Sequence, residues 1–261
     1  MTIRYSDLNI NPIAIQIGNL SIHWYGITYL FGLLIVYILG EIKLKNNLLN
    51  KRKIKNLEDL ILYGMLGAII GGRLGYVTIY KPSYFFTNPI EIFYLWEGGM
   101  SFHGGLIGVV ISLFVYTKYN NIPFFETTDF IACIVPPAIC LGRIGNFING
   151  ELWGYPTDLF FGVIFDETCD DLVRHPSQLY ESILEGPILF TIMHISSKKI
   201  RKTGIVSSVF LIAYGLLRFV AELWREPDYF LGTVFISLSM GQILSILTVI
   251  MGLIIMQTRA K

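Results

Sequence analysis

The chain has 261 residues, of which 53% are hydrophobic and only 15% are charged, and its formal net charge at pH 7 is +1. Soluble domains carry about 25% charged residues, so this composition excludes an ordinary soluble domain. The first 21 residues are polar and lack a basic segment followed by an apolar one, so we expect no cleavable signal.

Seven apolar stretches approach the length of about 20 residues that a membrane-spanning helix needs. They cover roughly residues 22–40, 57–80, 102–117, 127–144, 180–196, 204–224 and 236–256. The third and fifth stretches are short, so a count of six or eight spans stays open. We predict an all-α integral membrane protein, a bundle of about seven transmembrane helices, in which residues 1–261 form a single polytopic membrane domain.

Basic residues predict the orientation of this bundle. With seven spans, most of the 20 Lys and Arg residues fall on one side, with clusters at residues 43–55 and 198–202. The positive-inside rule makes that side cytoplasmic. The N-terminus is then outside and the C-terminus cytoplasmic. The hydrophilic connections 81–101 and 145–179 both emerge outside, where we expect a small periplasmic cap. We interpret the basic clusters as topology anchors, in preference to sites for a specific lipid.

Residues 142–154 combine charge with glycine beside an apolar stretch. They follow Ile131 to Leu141 directly and contain Arg143, Asn146, Asn149 and Glu151. Charge beside hydrocarbon is unfavourable and is retained for a partner or a function. The glycines allow a backbone or a ligand to approach closely. The segment therefore predicts an anion site at a membrane boundary.

Five polar side chains from five spans lie at similar predicted depth. With a helical rise of about 1.5 Å per residue, Arg73 lies about 10 Å and Arg218 about 9 Å inside the outer ends of their spans. Tyr25, His103 and Arg143 lie near the outer ends of three other spans. The shared depth favours one cavity that opens to the outer side.

Simpler interpretations stay open for several of these residues. Arg218 and Glu222 lie four residues apart and could form a self-contained buried pair. Tyr25, next to Trp24, could be an ordinary aromatic residue of the membrane interface.

Arg73 lies among Gly67, Gly71 and Gly75, which form a ridge of small residues that lets a neighbouring helix pack tightly. We expect a structural or electrostatic role for Arg73 rather than contact with a substrate.

His103 is a candidate catalytic residue, because glycines follow it and leave room for a substrate. A histidine with a pKa near 6.5 can take a proton at neutral pH. A packing role is equally compatible with the residue types. Ser101 suggests a Ser/His hydrolase, but the chain has no Gly-x-Ser-x-Gly elbow and no His-Glu-x-x-His zinc motif.

Two further sets of residues receive structural interpretations. The cysteines Cys133, Cys140 and Cys169 show no metal-ligand spacing and no CxxC motif, so we expect no metal site and no cysteine chemistry. Ser177 is suited to cap the helix that follows it. His175 is expected to make a structural hydrogen bond to that cap.

Several blocks of the sequence resemble the bacterial prolipoprotein diacylglyceryl transferase family. They are Trp24-Tyr25-Gly26, His103 to Gly108, Gly142 to Gly154, His175 to Glu181, Arg218 to Glu222 and Arg225 to Asp228, in the family's order. The block 142–154 is long enough to be highly specific. The resemblance implies transfer of the diacylglyceryl group of phosphatidylglycerol to the lipobox cysteine thiol of a prolipoprotein, in the outer leaflet of the bacterial cytoplasmic (inner) membrane. It implies no cofactor and no nucleic-acid partner.

The resemblance also implies roles for the polar residues. A thiol with a pKa near 8.5 needs a base or a positive field to become a thiolate, and His103 is the candidate base. Arg143 and Arg218 can each grip phosphate oxygens with two donors.

The remaining site residues would bind or orient the substrate. Asn146 and Glu151 would hold the glycerol hydroxyls or orient Arg143. Glu222 would position Arg218, Tyr25 would contact the lipid head group or assist proton transfer, and Gly154 belongs to the substrate-binding set. The identity of the base stays open, because Glu151 or Tyr25 could share that task.

The alternative function is a transporter or channel for a small anionic solute, with the arginines as its binding site. Transporters usually show repeated halves with broken helices at matching positions, and the spans show no such self-similarity. A purely structural membrane protein would leave the arginines and Glu151 unexplained.

Overall fold

The computed structural model describes residues 3–18, 20–46, 54, 56–95, 98–168, 170–227, 233–235 and 238–260, with the backbone alone at residues 20, 102, 103, 167, 233–235 and 260. The α-helices of these residues are α1 (Trp24–Asn46), α2 (Leu57–Ile79), α3 (Pro82–Thr87), α4 (Phe102–Tyr119), α5 (Phe124–Ala132), α6 (Pro136–Ile148), α7 (Ser177–Ile183), α8 (Leu189–Lys199), α9 (Ile205–Ala221) and α10 (Met240–Ala260). A π-helical turn, Leu184–Ile188, joins α7 directly to α8.

Short strands and 3-10 turns complete the described chain. The strands are β1 (Ile3–Arg4), β2 (Ile13–Ile17), β3 (Leu20–His23), β4 (Val163–Ile164), β5 (Val173–Arg174), β6 (Thr233–Phe235) and β7 (Leu238–Ser239). β4 pairs in parallel with β1 and antiparallel with β5, while β2 with β3 and β6 with β7 form antiparallel pairs. The 3-10 turns are Tyr5–Leu8, Pro89–Phe93 and Asp166–Thr168. Sequence periodicity does not reveal β1, β4, β5, β6 and β7, which have only two or three residues, because alternation needs about four or more residues.

The helices confirm an all-α membrane protein. Among the described residues, α1, α2 and α10 are each long and apolar enough to cross a membrane. α5 and α6 pass the same test only as a pair that is bent by 54°, and α4 and α9 are apolar but shorter. The number of seven spans stays a prediction.

The predicted fourth span, residues 127–144, is broken. α5 ends at Ala132 and α6 begins at Pro136. Proline lacks the N–H that an interior helical position donates, and it disfavours helical geometry at the residue before it. Pro136 therefore starts a new helix instead of continuing the old one.

Two compact units make up the chain, a larger one from Met1–Leu39 and Asp129–Lys261 and a smaller one from Gly40–Thr128.

In the larger unit, small residues let α1 pack closely on α6. A methyl group on Gly145 would lie 2.5 Å from Thr28 Oγ1, so this position of the 142–154 segment needs a glycine.

An aromatic cluster organises the chain between α6 and α7. The buried side chains of Tyr5 and Phe165 stack at 5.7 Å, and Phe147 and Trp153 pack against them. Tyr5 Oη donates to the carbonyl of Ile148 at 2.5 Å. These contacts fold the chain after α6 against the N-terminal residues and fix the direction in which it leaves the helix.

In the smaller unit, α2 and α4 pack through glycines. A methyl group on Gly71 would lie 2.7 Å from Gly108 Cα, and one on Gly75 would lie 2.7 Å from Gly104 Cα. The predicted ridge of small residues is thus confirmed as a close helix contact.

Arg73 is buried beside this contact and has a structural role, as expected. Its guanidinium donates to the carbonyls of Glu91, Ile92 and Gly98 at 2.6, 2.8 and 2.6 Å, and to that of Gly99 at 3.2 Å. It therefore holds the backbone of the connection between α2 and α4.

Candidate active site

A cluster of guanidinium and carboxylate groups lies where α6, α7, the π-turn and α9 meet. Arg143 Nη1 lies 2.9 Å from Glu181 Oε2, and Arg143 Nε donates to Glu185 Oε2 at 3.0 Å. Arg218 Nη1 lies 2.7 Å from Glu181 Oε2 and 3.2 Å from Glu185 Oε1. Arg218 Nη2 donates to Glu222, the residue that ends α9. The structure thus brings together Arg143 and Arg218, the two predicted phosphate ligands.

The cluster is buried and electrically balanced. The side chains of Glu181 and Glu185 are 1% and 0% exposed, and those of Arg143 and Arg218 are 14% and 12% exposed. Arg225 Nη1, 3.4 Å from Glu181 Oε1, adds a third guanidinium, so three arginines face three glutamates. Buried charges persist only when they are paired in this way. The alternative of a self-contained pair of Arg218 with its i+4 glutamate is therefore wrong.

Arg143 retains donors for a ligand. Its Nε and Nη1 face Glu185 and Glu181, whereas its Nη2 has no polar contact with the residues that the structure describes. The cluster can therefore accept an anion at Arg143 without first losing an existing ion pair.

Glu151 lies in a second group of polar side chains. Its Oε1 accepts from Asn146 Nδ2 at 2.8 Å and from Asn149 Nδ2 at 3.4 Å. Gln178 Nε2 donates to the backbone carbonyl of Glu151 at 2.5 Å. Asn146 and Glu151 thus contact each other, while Arg143 is oriented by Glu181 and Glu185 instead. The Glu151 carboxylate is held by the two asparagines, and its backbone is held by Gln178 of α7.

The expected helix cap at Ser177 is wrong. Ser177 is already the first residue of α7, and Pro176 occupies the cap position without a side-chain hydrogen bond. Ser177 Oγ donates instead to the carbonyl of Leu152 at 2.8 Å. This bond holds the backbone just after Glu151. His175 Nδ1 lies 3.1 Å from Tyr180 Oη, a structural contact that does not involve the cap.

Gly154 is required by packing. Its N–H donates to the carbonyl of His175 at 2.9 Å, and a methyl group here would lie 2.7 Å from His175 Cβ. Gly154 also forms an isolated bridge with Arg225. These contacts explain the glycine without a ligand, so its role in substrate binding stays a prediction.

Tyr25, in the first turn of α1, contacts the 142–154 segment. Its hydroxyl lies 3.1 Å from Tyr29 Oη and close to the side chain of Asn146. A methyl group on Gly145 would lie 3.2 Å from the Tyr25 ring. Tyr25 is thus more than an interfacial aromatic residue, since it reaches the polar group around Glu151.

His103 lies in the first turn of α4, in the smaller unit, and its side chain is outside the described part of the structure. Ser101 caps the same helix: its Oγ accepts from the N–H of Gly104 at 3.2 Å, and the residue is only 3% exposed. A buried capping hydroxyl is poorly placed to act as a nucleophile, which argues against the Ser/His hydrolase.

The cysteines that the structure describes make packing contacts. Cys133 Sγ donates to the carbonyl of Asp129 at 3.2 Å, and Cys140 Sγ lies 3.1 Å from Ser182 Oγ. Cys169 lies outside the described residues. Within those residues, no group of three or more His, Cys, Asp or Glu side chains could hold a metal ion.

Comparison with known proteins decides the family. The profile of the prolipoprotein diacylglyceryl transferase family matches residues 12–258. The chain belongs to this family. It is 52% identical over 243 residues to a phosphatidylglycerol–prolipoprotein diacylglyceryl transferase of Bordetella parapertussis, covering 93% of each protein. It is 50% identical over 244 residues to that of Cupriavidus metallidurans (93% of this chain, 90% of the relative), and 44% identical over 255 residues to that of Paracidovorax citrulli (95% and 94%).

Three residues of the Arg–Glu cluster were not predicted from the sequence. Glu181 and Arg225 stand at the ends of matching blocks without a predicted role, and Glu185 lies outside those blocks, yet all three belong to the cluster. The signal for Glu181 and Glu185 was present, since carboxylates four residues apart within a predicted span share one helix face.

A second ion-pair network ties the chain between α6 and α7 to the segment after α9. Arg174 Nη1 donates to Glu226 Oε2 at 2.5 Å, and Arg174 Nη2 donates to Asp170 Oδ2 at 2.5 Å. Trp153 Nε1 donates to the same Glu226 oxygen at 3.0 Å. Because Arg225 precedes Glu226, this network also fixes the third arginine of the cluster.

The network predicts an acid-dependent loss of stability. Hydrogen bonding from Arg174 lowers the pKa of Asp170 to about 2. A lowered carboxyl pKa stabilises the fold above the unfolded value of about 3.9, and this stabilisation is lost as the pH falls towards about 2. Asp170→Asn should therefore flatten the acid-unfolding profile between those two pH values, measured by tryptophan fluorescence in detergent micelles. The exposed Asp158→Asn is the control, and profiles of equal slope for both variants would contradict the assignment.

Proposed function

We propose that this chain transfers the diacylglyceryl group of phosphatidylglycerol to the thiol of the lipobox cysteine in a prolipoprotein signal peptide, the first step of bacterial lipoprotein maturation. The names of the relatives and the family match support this activity. The observation that carries it in the structure is the buried Arg–Glu cluster, in which Arg143 keeps a terminal nitrogen for an anion.

The proposed reaction is a displacement that is balanced without a redox cofactor. The cysteine sulfur forms a bond to the glyceryl carbon, and the bond from that carbon to the phosphate oxygen breaks. The electron pair of the broken bond leaves with glycerol phosphate, and the thiol proton goes to a base. The extra charge on the leaving phosphate needs fixed donors in a site that excludes water.

Arg143 and Arg218 are the donors that we assign to the phosphate. A planar guanidinium matches the spacing of two phosphate oxygens. Glu181 and Glu185 hold both guanidinium groups in fixed directions, so little reorganisation is needed as charge develops. Glu222 orients Arg218 through its own ion pair.

The polar group around Glu151 is assigned to the head-group glycerol. Asn146 and Glu151 offer donor and acceptor atoms that suit hydroxyls, and Tyr25 reaches Asn146. Gly154 stays in the substrate-binding set, because it fixes the backbone that follows Glu151.

The membrane arrangement is proposed on the charge of the helix ends. Basic residues occupy the last turns of α1, α4, α8 and α10, the first, third, fifth and seventh proposed spans. With seven spans, the positive-inside rule then places the N-terminus outside and the C-terminus on the cytoplasmic side. We propose one polytopic domain over residues 1–261 in the bacterial cytoplasmic membrane, with outer insertions at 81–101 and 145–179 and the active site facing the outer leaflet.

The decisive test is product formation. The purified chain is incubated with phosphatidylglycerol and a lipobox peptide, and mass spectrometry measures the peptide. A diacylglyceryl mass on the cysteine, together with released glycerol phosphate, is expected. A peptide in which the cysteine is replaced by serine is the matched control. Uptake of an anion into vesicles without any adduct would support the transporter alternative instead.

His103 is proposed as the base, on the basis of its residue chemistry and the family motif. General-base catalysis contributes about 10²–10⁴-fold. His103→Gln, which keeps size and polarity but cannot take a proton, should reduce the initial rate at pH 7 by about a hundredfold or more. The exposed His194→Gln in α8 is the control. If His103→Gln kept most of the turnover, the base would have to be Glu151 or Tyr25.

A further inference from the structure

Glu222 is held from two sides. On one side its Oε1 accepts from Arg218 Nη2, four residues earlier. On the other side its Oε2 accepts from Ser239 Oγ at 2.8 Å, in a contact that is buried. The whole Glu222 residue is only 5% exposed, so these donors replace the water that a carboxylate would otherwise bind.

Ser239 is also part of a capping box at the start of α10. Its Oγ accepts from the N–H of Gln242 at 3.1 Å, and its own N–H donates to Gln242 Oε1 at 3.0 Å. This reciprocal Ser-x-x-Gln pattern fixes the serine side chain. The hydroxyl proton is consequently free to point at Glu222, because the oxygen accepts from the helix while the proton donates to the carboxylate.

Gly241 makes room for the same carboxylate. A methyl group on this residue would lie 2.7 Å from Glu222 Oε2 and closer still to the carboxyl carbon. The atoms that would have to move are the end of a flexible side chain, so a side chain at 241 would displace the carboxylate and leave the backbone in place.

We propose that the first turn of α10 is the positioning element of the active site, with Ser239 and Gly241 as positioning residues that fix Glu222 and, through it, Arg218. This rests on the proposed function, in which Arg218 contacts the phosphate. The Ser239 hydroxyl sets one carboxylate oxygen, the other oxygen sets Arg218 Nη2, and Arg218 Nη1 is thereby directed to Glu181 and Glu185.

Gly241→Ala separates positioning from folding. Alanine is the better helix former, so α10 itself should not be weakened. A displaced Arg218 should lower kcat/KM for phosphatidylglycerol by about tenfold to a hundredfold, because small misplacements of catalytic groups have effects of this size. The matched control is Gly64→Ala in α2, where a methyl group would meet nothing within 4 Å among the described residues. Full activity of Gly241→Ala would overturn the proposal.

Substitutions at Ser239 distinguish its donor role from its capping role. Ser239→Thr keeps both roles and should keep activity. Ser239→Asp keeps the capping acceptor but cannot donate to Glu222, and it should lose activity about as strongly as Ser239→Ala, by tenfold or more. Activity of Ser239→Asp near that of the wild type would reduce the serine to a helix cap and contradict the proposal.

A double-mutant cycle tests the contact without relying on turnover. The melting temperatures of Ser239→Ala, Glu222→Gln and the double variant are measured in the same micelles. The fall in melting temperature of the double variant should be clearly smaller than the sum of the falls of the two single variants. Substitutions of two residues in contact have effects on stability that do not add. Additive effects would overturn the proposed contact. If the wild type made no diacylglyceryl adduct, the proposed function would fail, whereas this cycle would still decide whether the first turn of α10 holds Glu222.

Discussion

Arg143→Ala is expected to abolish diacylglyceryl transfer while the protein still inserts into the membrane. Removal of one fixed donor from a site that stabilises developing negative charge reduces rates by about 10²–10³-fold. Arg143 can offer more than one N–H to the phosphate, so a loss of about a thousandfold or more is expected. The measurement is the initial rate of adduct formation by mass spectrometry, per amount of protein recovered from the membrane.

Arg143→Ala should also affect the stability of the cluster. Without Arg143, Glu181 and Glu185 each lose an ion pair that spans 2.9 and 3.0 Å. Lost activity could then reflect lost folding. Arg143→Lys keeps the charge but not the planar fork, and it should still lose about a hundredfold in rate. Near-normal transfer by either variant would remove Arg143 from the mechanism.

The fold could be predicted from the sequence where apolar length decides it. Charges and apolar runs predict which stretches enter the membrane, and each predicted stretch contains a helix or part of one. The helix break before Pro136 was not predicted, because hydropathy does not take account of whether a residue has a backbone N–H to donate. Proline lacks this N–H, which explains the break. The small strands near Tyr5 and Val163 were missed because their partners are more than 100 residues apart in the chain.

The site could be predicted only in part, because depth along a helix axis does not give direction around it. Arg143 and Arg218 share a depth and do meet, through glutamates that the depth argument did not include. Arg73 shares the same predicted depth but donates to four backbone carbonyls of its own unit. A search for carboxylates within the predicted spans would have found Glu181 and Glu185, since a buried arginine needs a counter-charge.

Glu185→Ala is expected to produce a large loss of stability. Its side chain is fully buried and contacts both Arg143 and Arg218, so its removal leaves three guanidinium groups facing two carboxylates. Breaking a buried pair by removing one partner costs about 3–5 kcal/mol. For a chain of this size, that loss corresponds to a fall in melting temperature of about 6–20 °C. Thermal unfolding in micelles measures it, with the exposed Asp158→Ala as control.

The double variant Arg143→Ala/Glu185→Ala decides whether charge imbalance is the cause of this loss. It restores equal numbers of guanidinium and carboxylate groups while removing more contacts than either single variant. If burial of an unpaired charge dominates, the double variant should melt above both single variants, because removing both partners leaves no isolated charge behind. If lost packing dominates, it should melt below both. The same protein should make almost no adduct in either case, because Arg143, one of the two guanidinium groups assigned to the phosphate, is missing. Stability and catalysis would then be separable in a single chain: Glu185 would set the balance of charge, and Arg143 would meet the substrate.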